Sequence, residues 1–375
     1  MILRVLKLLG SLRVTVIGLI FLLILTVWGT LYQADYGLYG AQERFYQSWF
    51  FMVGGILPFP GAQMVMSVLF INLVSSMLLR ALRGRLKWGL VITHLGLMLM
   101  LAAGAVTFYL GKESHLSLVE GEGSNVAMSY NEWELAMLPS SEGKGREVSS
   151  LDAKWLRPGK TISFPDGRLA LRVDEFYRNC EATRDRVEHA PESGSGYTTL
   201  TPRPRNREPA EDLPGLVFTL VDGGKEKGRH LVWGGDPAPT MLSVDGQDRP
   251  MSLRRQRMPL PTVIQLIDFR RELHPGSGIA KSYSSQVVVK SGEGLERQML
   301  ISMNKPLRLR GFTFYQSSFS SGPGGREIST LSVVRNYGRL MPYIATGATV
   351  TGMLLHFIGM LIHRLSRRRP QEVPA

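Results

Sequence analysis

Apolar and polar positions along this chain are arranged on two scales. Four long blocks, Val14–Ala34, Gly61–Leu79, Trp88–Gly111 and Leu340–Ile362, contain no Asp, Glu, Lys or Arg. A bilayer core of about 30 Å takes roughly 20 apolar residues at 1.5 Å rise each, so each block predicts a membrane-crossing helix. Residues 112–339 follow a shorter period. Leu169, Leu171 and Val173 alternate with Ala170, Arg172 and Asp174, the two-residue repeat of a half-buried strand. Further strands are predicted at Leu216–Leu220, Val263–Ile267, Gln286–Val289, Met299–Met303, Phe312–Gln316 and Thr330–Val334. Pro165-Asp166-Gly167, Asp222-Gly223-Gly224 and Ser291-Gly292-Glu293-Gly294 punctuate them as turns. Many short strands with glycine turns imply an antiparallel sandwich or open barrel. The expected fold is therefore an α-helical integral membrane protein, with a large antiparallel β-rich domain inserted between helices three and four.

Two segments fit neither pattern. Phe45-Tyr46-Gln47-Ser48-Trp49-Phe50-Phe51-Met52 is aromatic and too short to span. It predicts an interfacial helix over 45–53, with a re-entrant turn as the alternative. Residues 181–214 are rich in Pro, Arg and Ser and poor in large apolar side chains, which predicts a flexible loop.

The charges set an orientation. Arg4, Lys7 and Arg13 precede the first block, and Arg80, Arg83, Arg85 and Lys87 lie between the second and third. Arg364, Arg367, Arg368 and Arg369 follow the fourth, in the tail that completes the 340–375 region. Short loops rich in Lys and Arg stay cytoplasmic, so both termini are expected inside and residues 112–339 outside. Most of the formal net charge of +13 sits at these membrane ends, which removes the usual argument for nucleic-acid binding. The first block is too long for a signal core and lacks a small-x-small site after it, so it reads as a retained anchor.

Cys180 is the single cysteine; it cannot form an internal disulfide and reads as a small buried hydrophobe. No Cys-x-x-Cys-His, Cys-x-x-Cys or His-Glu-x-x-His occurs. His115, His189, His230 and His274 are scattered through the 112–339 region without metal-ligand spacing, and His363 sits at a span boundary. Gly159-Lys160-Thr161 ends like a phosphate loop, but Lys154 stands where its leading glycine belongs. The two ionisable residues inside the spans are His94 and His356, and buried ionisable groups at membrane depth are functional candidates. Each lies six residues from its block's cytoplasmic end, so the two could share one level. Neutral imidazole ligates iron, copper and zinc, and two imidazoles at one depth could clamp a haem iron. The competing reading is a histidine bonded to a neighbouring helix or to headgroup-level water.

Several phrases together carry a family resemblance. They are Leu9-Gly10-Ser11-Leu12-Arg13, Gly29-Thr30-Leu31-Tyr32-Gln33, the Phe45–Phe51 segment, His94-Leu95-Gly96 and Leu118-Val119-Glu120-Gly121-Glu122. Later come Met303-Asn304-Lys305-Pro306-Leu307 and Gly311-Phe312-Thr313-Phe314-Tyr315-Gln316-Ser317-Ser318. The chain resembles the ResB/CcsB proteins of cytochrome c biogenesis, known as System II. The resemblance implies a multi-pass protein of the bacterial inner membrane with a large periplasmic domain. It implies a membrane partner, ResC/CcsA, which carries a tryptophan-rich WWD loop, and an apocytochrome c client. The six tryptophans here, at 28, 49, 88, 133, 155 and 233, are never close together, so the resemblance is to the ResB-type subunit.

In the family a membrane histidine contacts haem b on its way outward, and His94 is the matching residue; the second ligand is expected from the partner rather than from His356. No residue stands out as an acid, base or nucleophile, so the chain is expected to be a non-catalytic subunit of a haem-attaching complex. The rival reading is a membrane-tethered periplasmic binding or scaffold protein that carries no haem.

Overall fold

The computed structural model describes residues 2–82, 87–138, 148–163, 169–222, 225–244, 247–277, 280–290, 296–322 and 325–367. Arg83, Arg85, Arg368, Arg369 and the turns at Pro165-Asp166-Gly167, Gly223-Gly224 and Ser291–Gly294 lie outside these residues. The chain divides into two compact units, Met1–Lys112 with Asn336–Ala375, and Glu113–Arg335.

The helical unit holds α1 (Ile2–Leu9), α2 (Leu12–Ala41), β1 (Phe50–Val53), β2 (Leu57–Pro60), α3 (Ala62–Leu82), α4 (Trp88–Leu110) and α5 (Met341–Arg367). Among the described residues, four stretches are long and apolar enough to cross a membrane: Leu3–Tyr46, Ala62–Leu82, Trp88–Leu110 and Met341–Ser366. Helix starts ahead of Val14. The amphipathic α1 was not anticipated, because its Arg4 and Lys7 interrupt the apolar block. Between α1 and α2 the chain breaks at Gly10-Ser11, where Ser11 is extended (φ −81°, ψ 144°) and its Oγ accepts from Val14 N. Asn72, buried in the middle of α3, closes this break. Its Nδ2 donates to Leu9 O (2.5 Å) and Ser11 O (3.0 Å), and its Oδ1 accepts from Thr15 Oγ1 (2.8 Å). A carbonyl at the C-terminal end of a helix has no partner within the helix; the Asn72 amide serves that of Leu9 and adds a second bond to Ser11 O, which also accepts from Val14 N (3.2 Å).

The interfacial helix expected over 45–53 is not what forms. A π-helical turn, Gln42–Tyr46, ends the helical run, and β1 and β2 then make a hairpin. Gly54 (φ 61°) and Gly55 (φ 76°) form its tip in the left-handed region, which suits glycine and turns the chain back. Phe51 and Phe59 face inward and, with Phe45, surround the Trp28 ring at centroid distances of 5.5 to 5.7 Å. The aromatic residues thus serve strand-on-helix packing, which prevails over any helical arrangement.

The β unit contains β3 (Lys112–Val119), β4 (Gly123–Met137), β5 (Ser149–Asp152), β6 (Thr161–Ser163), β7 (Leu169–Tyr177), β8 (Cys180–Thr183), β9 (Thr199–Pro202), β10 (Gly215–Asp222) and β11 (Lys225–Trp233). It continues with β12 (Thr240–Val244), β13 (Gln247–Leu273), β14 (Ala280–Lys290), β15 (Glu296–Ser302), β16 (Leu307–Leu309), β17 (Phe312–Ser321) and β18 (Glu327–Arg335). One sheet has four strands, ordered β11-β10-β7-β6. A second has ten, along the path β15-β14-β13-β4-β3-β18-β17-β16, with β12 on β13 and β5 on β4, and β8 and β9 form a two-stranded third. Two cores result. Leu171, Val173, Phe218 and Leu220 of the smaller sheet pack with Leu135, Met251 and Leu253. Leu116, Ile264, Val287, Phe314 and Val333 lead the second. The strand β13 contributes to both.

The segment 181–214, expected as a flexible loop, is built into this unit. The strands β8 and β9 pair, and Cys180 and Leu200 pack with Val217 and Leu231 under Tyr197 and Trp233. The segment supplies few apolar groups itself and borrows its core from β10 and β11. Asp212, buried, holds the return by accepting from Asn206 N (2.8 Å) and Arg205 Nε (3.3 Å). Composition alone did not reveal that borrowed surface.

Candidate functional site

The two span histidines sit on α4 and α5, which cross closely because glycines line the contact. A Cβ on Gly96 would lie 2.3 Å from Thr349 Oγ1, one on Gly89 2.6 Å from His356 N, and one on Gly352 2.4 Å from Thr93 N. Small residues at such a crossing let two backbones approach. These contacts also fix the antiparallel register. Gly96 faces Ala345 and Thr349, whereas Gly89 faces Gly352 and His356.

That register separates the two imidazoles along the axis. His94, two residues from Gly96, is level with the Thr349–Gly352 stretch though turned away from it, and His356 is level with the first turn of α4. At 1.5 Å per residue the offset is on the order of 9 Å. The expectation of a common level fails because it counted from the ends of the apolar blocks, and α5 runs on past Ile362 to Arg367. A single iron clamped by both histidines of this chain does not fit this register. His356 instead rests its ring against Phe357, at 5.6 Å between centroids.

His94 is half-buried, and its Nδ1 is 2.7 Å from Leu90 O, four residues back on the same helix. A carbonyl oxygen only accepts, so Nδ1 carries the proton. In the neutral ring, Nε2 then keeps its lone pair and can act as a metal ligand. Helical spacing puts His94 on one stripe with Leu101 and Ala105. Leu101 and Ala105, with Met66, Phe70 and Tyr109, line a groove of about 650 Å³ between α3 and α4; His94 is not in its wall, which begins two helical turns along α4 from it. None of its lining residues is charged. Its volume lies within the roughly 300–1,000 Å³ of pockets that take drug-sized ligands.

The β unit offers less. Among the described residues no group of three or more His, Cys, Asp or Glu is placed to hold a metal ion. Cys180 is buried, and burial pushes its thiol up to about 12. Burial also holds His230 and His115 below the usual histidine range, with Arg255 adding to the effect at His115 and Glu192 opposing it at His230. A cavity of about 240 Å³ has Trp133, Phe176, Asp212 and Gln256 in its wall, too small to enclose a haem plate. Gln316, in the phrase singled out from the sequence, anchors a buried polar cluster. Its Oε1 accepts from Ser285 Oγ (2.6 Å), its Nε2 donates to Ser329 Oγ (3.1 Å), and the two serine hydroxyls lie 2.8 Å apart. The phrase therefore fixes strand packing in this fold. Asn72 went unnoticed in the sequence, although an amide midway along an apolar block was the available signal.

Residues 226–358 match the ResB-like family. The matched stretch contains the Met303–Leu307 and Gly311–Ser318 phrases and His356; His94 lies outside it. No curated protein matches the chain.

Proposed function

We propose that this chain, whose residues 226–358 match the ResB-like family, is the ResB-type subunit of a System II cytochrome c synthetase. The match supports a role in cytochrome c biogenesis at the level of that family. In the proposed arrangement α2, α3, α4 and α5 cross the bacterial inner membrane. The basic ends lie in the cytoplasm by the positive-inside bias, and the β unit is periplasmic. The partner is a ResC/CcsA-type protein, and the client is apocytochrome c.

Haem is the cargo. Its apolar faces suit a groove without charged lining residues, such as the one between α3 and α4. His94 carries the proposal. Its hydrogen bond to Leu90 O leaves Nε2 free to meet the iron, on the α4 stripe that two turns further along lines the groove through Leu101 and Ala105. The offset of His356 leaves the opposite face of the iron to a ligand from the partner. This chain's work is to hold and hand over; thioether formation is assigned to the partner's site. The β unit would present the client there. Strand addition at a sheet edge is one way to grip an unfolded segment, and β15 ends the ten-stranded sheet with Leu300 exposed.

The test is co-purification in detergent after co-expression with the partner in haem-replete cells. Wild type is expected to show a Soret band, His94→Ala to lose it and regain it with added imidazole, and His356→Ala to keep it. Equal haem in His94→Ala and wild type would overturn the assignment of the ligand. A colourless wild-type complex would favour the scaffold reading, as would normal c-type cytochromes in a strain lacking the chain.

A further inference from the structure

The hairpin β1–β2 is apolar on both faces. One face is used: Phe51 and Phe59 pack on Trp28 and Phe45. Cross-strand pairing puts Phe50 opposite Pro60 and Met52 opposite Pro58 on the other face. Phe50 is 56% exposed and Met52 47%, while at the tip Ile56 reaches 85% and Leu57 61%. Trp49, just before β1, is also exposed. A water-facing hairpin carries polar residues on its outer face. This one carries none.

The backbone is equipped for a poorly hydrated setting. Pro58 and Pro60 have no N–H to leave unpaired on the outer side of β2. On β1, Arg44 donates to Met52 O (3.1 Å) while its guanidinium lies 5.2 to 5.8 Å from the ring centres of Tyr32, Phe45 and Phe51. The exposed apolar surface continues along the neighbouring helix through Val27 and Leu31 of α2, within a stretch apolar enough to cross a membrane.

We infer that the β1–β2 hairpin is a wedge seated at the headgroup level of the bilayer, with phospholipid covering Phe50, Met52, Ile56 and Leu57. Hydrocarbon does not tolerate open strand edges, because no water is there to satisfy them. A two-stranded hairpin has two edges, so the depth is interfacial, where exposed Trp and other aromatic rings are favoured. Proline at the outer edge and a capped carbonyl on the other strand shorten the list of groups that need water. The inference rests on the membrane reading above and is independent of haem.

The test uses the full chain in nanodiscs without any other protein. Ile56→Cys is labelled with an NBD fluorophore; Cys180 is buried, with its thiol pushed up to about 12, and stays unlabelled in the folded chain. Leu354→Cys on α5 and Glu188→Cys in the β unit are the references. Lipid carrying doxyl near the headgroup is expected to quench the Ile56 label at least about twofold, more than lipid labelled near the chain end, and aqueous iodide to quench it less than the Glu188 label. If lipid quenches the Leu354 label but the Ile56 label behaves like that at Glu188, the inference fails and the face is left to water or a protein partner. If the Leu354 label also escapes lipid, the membrane reading itself fails.

Discussion

Replacing Asn72 by Leu removes the group that closes the α1–α2 break while keeping an apolar side chain of similar size in α3. Three hydrogen bonds go, one to the otherwise orphaned carbonyl of Leu9, one to that of Ser11, which keeps Val14 N, and one from Thr15. Hydrogen bonds between helices in membranes contribute about 0.6 kcal/mol each on average and up to about 1.7. Stranding a buried acceptor costs about 1–3 kcal/mol. The two figures overlap, and together they give a loss of about 2–4 kcal/mol, or roughly 30- to 1,000-fold in the unfolding constant. Thr15→Val removes one bond and is expected to cost about 1 kcal/mol. The assay is reversible SDS unfolding of the full chain in bicelles, followed by pulse proteolysis. An unfolding constant for Asn72→Leu within about threefold of wild type, or a Thr15→Val cost equal to that of Asn72→Leu, would show that Asn72 does not close the break.

Other consequences follow from particular contacts. Gly96→Val would put side-chain atoms where Thr349 Oγ1 already stands 2.3 Å from a Cβ position, so the α4–α5 pair is expected to lose about 1–3 kcal/mol; bicelle unfolding unchanged from wild type would contradict this. Cys180, with its thiol raised to about 12 by burial, should resist maleimide at pH 8 in the folded chain and react on unfolding; prompt labelling of native protein would count against the packing seen at Leu200 and Trp233. Burial holds His230 and His115 below their unfolded value of about 6.5. The unfolded chain therefore takes up protons first, and stability present above pH 6.5 is lost as the pH falls from there towards the folded values. Each histidine contributes a slope of at most about 1.4 kcal/mol per pH unit in that window. The melting midpoint of the β unit should drop between pH 7.5 and 5.5, less so in His230→Gln, and a midpoint rising on acidification would negate the reading.

The long apolar blocks were legible in the sequence because a continuous run of about 20 residues has few other uses. Strands such as Leu169–Val173 were legible because their alternation survives in β7, where Leu169, Leu171 and Val173 are all buried. What escaped depended on partners distant in the chain. Cys180 and Leu200 are ordered by β10 and β11, and Phe51 and Phe59 by Trp28. His94 and His356 were visible as residues, but their relative height depends on where Gly89, Gly96 and Gly352 let α4 and α5 touch. Counting from block ends cannot supply that register.

The strand β13 runs unbroken from Gln247 to Leu273 and places Met251 and Leu253 in one apolar core and Leu260, Ile264 and Phe269 in the other. It acts as a shared beam. Neither lobe can melt without stripping one end of a strand the other still grips, so the unit should come apart in one step. A tug on a segment seated at either lobe would be transmitted along the backbone rather than dissipated in a hinge.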